Sequence, residues 1–175
     1  SSTLQPPLNN PKTKHMKYFI GAYAASPTHT VWDEKQEREY LEGIQNLKHA
    51  ELVEGLEIPF FGSLHKSDAA SYRTMLSSKW NHLLTLIPGV MGRLNANPHE
   101  GLASEDMQGR KDAIAFVHKA LQTIDELHQW MGRSCVRGIL IHSAPRVVSG
   151  ISSSAQALAE SLAEITSWNW GETQI

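Results

Sequence analysis

The chain has 175 residues, 41% of them hydrophobic and 19% charged, with a net charge of −2. Those proportions suit one soluble domain with a proper core and argue against the clustered cationic surface that nucleic acid or an anionic membrane demands. The lone Cys135 excludes an internal disulfide and any multi-cysteine metal site, and no apolar run reaches the roughly 18–20 residues of a bilayer span.

Residues 1–15, SSTLQPPLNNPKTKH, are polar and proline-rich and read as a flexible leader. They lack the apolar h-region of a signal peptide, so a cytoplasmic location is expected. Met16 is a candidate natural start, and residues 16–175 form the expected domain. KYFIGAYA, from Lys17, is aromatic-rich and reads as a first strand. Asp33, followed three residues later by Gln36, suits a capping box, and Tyr40, Leu41, Ile44 and Leu47 continue it at helical spacing. Leu52 to Phe61 is the second strand, and Ser67 or Asp68 caps a short helix over DAASYRTMLSS. His82 to Val90 reads as the third strand, followed by a long Gly/Asn/Pro-rich loop from Met91 to Gly109. Ile114, Val117, Leu121, Ile124, Leu127 and Met131 then mark one face of a third helix, which Gly132 ends. VRGILIHSAPR, Val136 to Arg146, carries the fourth strand. A fourth helix begins near Ser152 or Ser153, and the terminal ETQI resembles the beginning of a fifth strand.

Strand and helix thus alternate, and the strands are apolar without alternation. That pattern implies an α/β fold with a parallel sheet and outer helices. An open doubly wound sheet and a (βα)8 barrel both fit. In either, a ligand site lies at the carboxyl ends of the strands, so the polar residues there are the candidates. They are Tyr23, Ser26 and His29 after strand one, and Glu54, Glu57 and His65 on and after strand two. Arg93, Asn95, Asn97, His99 and Glu100 follow strand three, and His142, Ser143 and Arg146 close strand four. Glu57 stands between Leu56 and Ile58, where a charge is costly unless paired or turned to a polar site. Arg146 before the serine-rich start of the fourth helix could hold an anion. Cys135 lies at the amino end of its strand, the wrong side for chemistry. His118 and His128 are ten residues apart on one helix, too far to share a metal. The chain has no GxGxxG, no P-loop and no GxSxG elbow.

Taken together, KYFIGAYAASP, LVEGLEIPFFGSLH, IPGVMGRLNANPHEGLAS, VRGILIHSAPR and SWNWGETQI resemble the start of an uncharacterised bacterial family of xylose-isomerase-like barrels. That family is grouped with sugar phosphate isomerases and epimerases, and the resemblance runs from about Met16 to Ile175. It implies the N-terminal half of a TIM-type barrel, (βα)4 plus a stub of strand five. It also implies a divalent metal (Mn, Mg, Zn or Co) and a sugar or sugar phosphate substrate. In such barrels the fifth strand brings a metal-binding glutamate and later strands bring further ligands. On this reading the chain is a truncated part, inactive as it stands, and its own metal ligands are unknown. Carried over by position, Glu57 and His142 are the catalytic candidates. Tyr23, His65, Asn95, His99 and Arg146 are the candidates for substrate binding.

A half barrel leaves strands one and four as open edges. Ile20, Leu56, Ile58, Leu84, Leu86, Ile139 and Ile141 are expected to face inward without partners, which predicts a homo-oligomer. The leading functional expectation is proton transfer beside a carbonyl in a sugar isomerase or epimerase. The alternative is a non-catalytic binding or assembly module. Metal-dependent phosphodiester cleavage, as in endonuclease relatives of these barrels, is disfavoured by the missing basic stripe.

Overall fold

The computed structural model describes residues 16–22 and 31–175. The expected leader and the candidates Tyr23, Ser26 and His29 lie outside the described residues.

Strand β1 is Tyr18–Gly21. Helix α1, Glu34–Gln45, starts where expected, with Asp33 Oδ1 accepting from the Gln36 N–H at 2.8 Å. It buries Leu41 and Ile44, whereas Leu47 lies past its end and is exposed. Strand β2, Val53–Pro59, leads to helix α2, Ala69–Met75, capped by Asp68, whose Oδ1 accepts from the Ser71 N–H at 2.8 Å. Strand β3 is only His82–Thr85, and the run continues as helix α3, Ile87–Ala96. The expected strand to Val90 and much of the expected loop are therefore corrected. Pro88 sits in the first turn, where its missing N–H costs nothing. Gly89 lets this helix press on the layer below: a Cβ there would run into the Phe60 carbonyl and the Phe116 ring.

Helix α4, Met107–Met131, starts at an Asp106 cap and ends at Gly132 in the left-handed conformation, φ +67°. Strand β4 is Val136–Leu140, and helix α5, Ala155–Thr166, is capped by Ser154 rather than by Ser152 or Ser153. Ser154 Oγ accepts from the Ala157 N–H at 3.1 Å.

Among the described residues the four strands are parallel and lie in the order β1-β2-β3-β4. A doubly wound sheet would reverse its order at a switch point. Sequential order with a helix after each strand is that of the first half of a TIM-type barrel. Gln174 extends it: it pairs parallel with Gly138, accepts from the Ile139 N–H at 2.8 Å and donates to the Arg137 carbonyl at 2.9 Å. That is the stub of a fifth strand.

Register decides which side chains meet the helices. Leu56 aligns with Ile20, Ile58 with Leu84, and Leu84 with Ile139. The fully buried Leu56, Ile58, Leu84 and Leu86 join the core with Leu41, Phe116, Val117 and Ile124 from the helices. The expectation that this apolar set faces into the barrel is overturned. The residues one out of phase turn to the opposite face: Glu57 aligned with Leu83, both half-buried, and the exposed Leu140 aligned with the buried Thr85. The face away from the helices is thus mixed rather than apolar, with Leu83 packing over Gly138.

The amino ends of the strands are tied by Arg133. Its guanidinium donates to the carbonyls of Ser78 (2.9 Å), Ser134 (3.0 Å) and Trp80, and to Asn81 Oδ1 (2.8 Å). Asn81 Nδ2 donates to Glu54 at 2.5 Å, and Lys17 pairs with Glu54 at 3.2 Å. The Asn81 bond, followed by the lysine, holds the Glu54 carboxyl below its ordinary range. His82 is buried beside this network, its Nδ1 accepting from the Leu56 N–H at 3.3 Å. Burial, reinforced by Arg133, pushes its pKa down to about 4.

Candidate functional site at the carboxyl ends of the strands

The carboxyl ends carry three separate groups of polar side chains. Glu57 stands two residues before the end of β2, on the helix-free face, half-buried. Its backbone carbonyl accepts from the Ala22 N–H at 3.0 Å. Among the described residues its carboxylate has no hydrogen-bond or ion-pair partner. A half-buried carboxylate turned to the helix-free face near the carboxyl end of a parallel strand stands where a ligand-facing group would.

The second group forms where β3 and β4 end. Arg93, on α3, pairs through Nε with Glu100 Oε1, and its guanidinium lies 5.0 Å from the Phe116 ring centroid. Glu100 is buried, and it lines one small cavity together with Leu86, Phe116, Ile141 and His142. His142 follows β4 and is half-buried. Its Nδ1 accepts from the Ala144 N–H at 3.1 Å. That bond assigns the proton of the neutral ring to Nε2, leaving an N–H to offer a ligand.

The third group is only half legible in the sequence. His65, in the loop after β2, points back between α1 and α2. Its Nδ1 accepts from the Ser67 and Asp68 N–H groups at 3.1 and 3.0 Å, so Nε2 carries the hydrogen and meets Glu37 Oε2 at 3.1 Å. The Trp32 indole donates to the same oxygen at 2.7 Å. Tyr72 stacks on the His65 ring at 4.7 Å. Burial, then the Glu37 charge, raises the Tyr72 pKa far above its ordinary value and keeps the phenol neutral. Glu37, 5% exposed, is missing from the candidates drawn from the sequence. The signal that could have found it is helical spacing: Glu37, Leu41 and Ile44 fall on one stripe of α1, and all three are buried.

The remaining candidates scatter. Asn95 is exposed on α3 rather than in a loop, and Arg146 is exposed beyond β4 with Ser154 already satisfying the α5 cap. His99 is half-buried in a turn, its N–H donating to Asn97 Oδ1 at 3.1 Å. No hydrogen bond or ion pair joins Glu57, His65 and His142 among the described residues; each belongs to a different group. His128 is a capping residue, its Nε2 accepting from the Val136 N–H at 3.1 Å. His118 packs edge-on to Trp168.

Among the described residues no three His, Cys, Asp or Glu side chains gather to hold a metal ion. The described residues by themselves thus offer no three-ligand set for the divalent metal that the xylose-isomerase-like resemblance implies. Nor is any helix of the described residues long and apolar enough to cross a membrane.

A family model described as a domain of unknown function, DUF4862, matches residues 19–175. The chain is also similar to a Salmonella typhimurium (strain LT2) protein described as uncharacterized protein STM3670, at 29% identity over 154 residues. That alignment covers 87% of this chain and 48% of the relative, so the chain spans about half the length of the curated relative it matches. No solved structure matches it.

Proposed function

We propose that this chain, which belongs to the DUF4862 family, supplies one half of a sugar or sugar phosphate isomerase or epimerase site. The observation that carries the reading is Glu57: a half-buried carboxylate without a partner among the described residues, on the helix-free face near the carboxyl end of a parallel strand. Such chemistry moves a proton next to a carbonyl and needs a base at that place. Glu57 offers the base, and the His142 Nε2–H offers a donor to a substrate oxygen. Donors for a divalent metal belong, in this proposal, to the part of the longer relative that this chain does not span, and no step here runs through one. A cytoplasmic setting agrees with a sugar phosphate substrate.

The second reading is an assembly module, favoured by β1 standing at the sheet's edge among the described residues and by the mixed sheet face. In it, two copies cover each other's sheet as a homo-oligomer.

The experiment is an aldose–ketose and epimer panel on a full-length DUF4862 protein with and without added Mn, Mg, Zn or Co, together with its Glu57→Gln equivalent. Turnover lost in the variant supports the first reading. Wild-type inactivity across the panel, with this chain sedimenting as a dimer at tens of micromolar, selects the second.

A further inference from the structure

A groove of about 460 Å³ runs between α2 and α4, floored by the loop after β2. We infer that this groove binds a small organic anion, a carboxylate or phosphate head on a short, partly apolar body.

Two cations face it from different helices. Arg73, on α2, lays its guanidinium 4.0 Å from the Trp130 ring centroid. Its Nε is buried and has no hydrogen-bond partner, one of two such side-chain atoms among the described residues. Burying an N–H without an acceptor is costly, more so in a charged group. Lys119, on α4, also lines the groove. Its Nζ lies 3.8 Å from where a Cβ on Gly62 would stand. Gly62 has φ +109°, a conformation that L side chains rarely adopt, so a residue without a side chain keeps that corner open beside the ammonium. Neither cation has an ion-pair partner among the described residues.

Glu126 is the one carboxylate lining the groove, which leaves it a formal excess of one positive charge. Leu64, Ala69 and Leu127 supply the apolar wall. An oxyanion seated between the Arg73 guanidinium and Lys119 would be held by the charge-assisted bonds that guanidinium favours, while the shielded Nε–H stays against the protein. Glu126 would accept from a ligand hydroxyl or amine. The volume falls within the range of small-molecule sites. The site is independent of Glu57 and His142 and stands whether or not the proposed isomerase activity does.

The test is a titration of the isotope-labelled chain by NMR with phenyl phosphate, benzoate and inorganic phosphate, against potassium chloride at matched ionic strength. Saturable shifts are expected at the Gly62, Arg73 and Lys119 amides with phenyl phosphate or benzoate, and none with chloride. The two organic probes separate a phosphate from a carboxylate head. Lys119→Gln, on an exposed helix position, and Arg73→Gln should each raise the half-saturating concentration about tenfold. Should Arg73→Gln fail to fold, Lys119→Gln decides alone. Equal half-saturation in the wild type and Lys119→Gln, or no saturable shift at these amides with any probe, overturns the inference.

Discussion

The two ends of the sheet are built on opposite rules. At the amino ends, Arg133 spends its donors on three carbonyls and the Asn81 side chain, and Glu54 accepts from Asn81 and Lys17. At the carboxyl ends, Glu57 has no partner among the described residues and His142 keeps an N–H free. A polar network fixes structure, and the division is not absolute: at the amino end the buried His82 Nε2 has no partner among the described residues, while at the carboxyl ends Arg93–Glu100 and Glu37–His65 are paired. In TIM-type barrels the carboxyl side carries ligands and the amino side carries stability, the division the proposed reading assigns to this half.

Substitutions should separate the ends cleanly. The largest effect is expected at the amino end. Arg133→Ala leaves three carbonyls and Asn81 without their donor and should cost about 3–4 kcal/mol in urea unfolding. A loss under about 1 kcal/mol would mean the network is solvated and the contrast weaker than drawn.

Next is acid. The pKa of His82 is about 4 in the fold, against about 6.5 in the unfolded chain. The unfolded chain therefore takes the proton first. Stability is complete above pH 6.5 and falls as pH drops toward 4, by about 3 kcal/mol at most. Chemical denaturation at pH 7 and pH 4.5 measures the slope, and His82→Gln should flatten it. An unchanged slope in that variant would place the acid sensitivity among the carboxylates instead.

Glu37→Ala strips the acceptor from the Trp32 indole and the His65 Nε2–H. It should cost about 2 kcal/mol and raise hydrogen exchange at the Ser67 and Asp68 amides. Should exchange there stay unchanged, the pair does not hold that loop.

The smallest effect on stability is expected at Glu57. Glu57→Gln removes a half-buried charge with no partner among the described residues, so unfolding should shift by no more than about 0.5 kcal/mol, toward greater stability. A large loss would reveal a structural partner for this carboxylate and remove the reason to call it functional.

Much of the fold is written in local pattern. The α1 start is legible because Asp33 and Gln36 sit three apart, and the α4 end because only Gly132 suits the left-handed turn. The fifth-strand stub is legible from composition and is paired through Gln174. The break inside HLLTLIPGV has a local signal in Pro88, which cannot donate to a strand ladder and suits a helix's first turn. Leu84, Leu86, Ile87 and Val90 are apolar in both states, and Gly89 lets the helix seat closely on Phe60 and Phe116. That close seating is a tertiary feature. Sheet facing fails for a related reason: period-two alternation shows which residues share a face, but not which face receives the helices. Of the site, Glu57 and His142 can be picked by position along a strand. Glu37 is harder, because its partners Trp32 and His65 come together only when α1 and α2 pack.

Helix α4 joins the two ends. Its 25 residues span about 37 Å at 1.5 Å each, more than twice the roughly 17 Å of five-residue β4. Its first turn accepts from the Gly101 N–H through Gly109, next to the Glu100 corner, and its last turn caps β4 through His128. A stiff rod held at both rims fixes their separation: the Gly109 and His128 anchors stand some thirty ångströms of helix apart, roughly 19 residues at that rise.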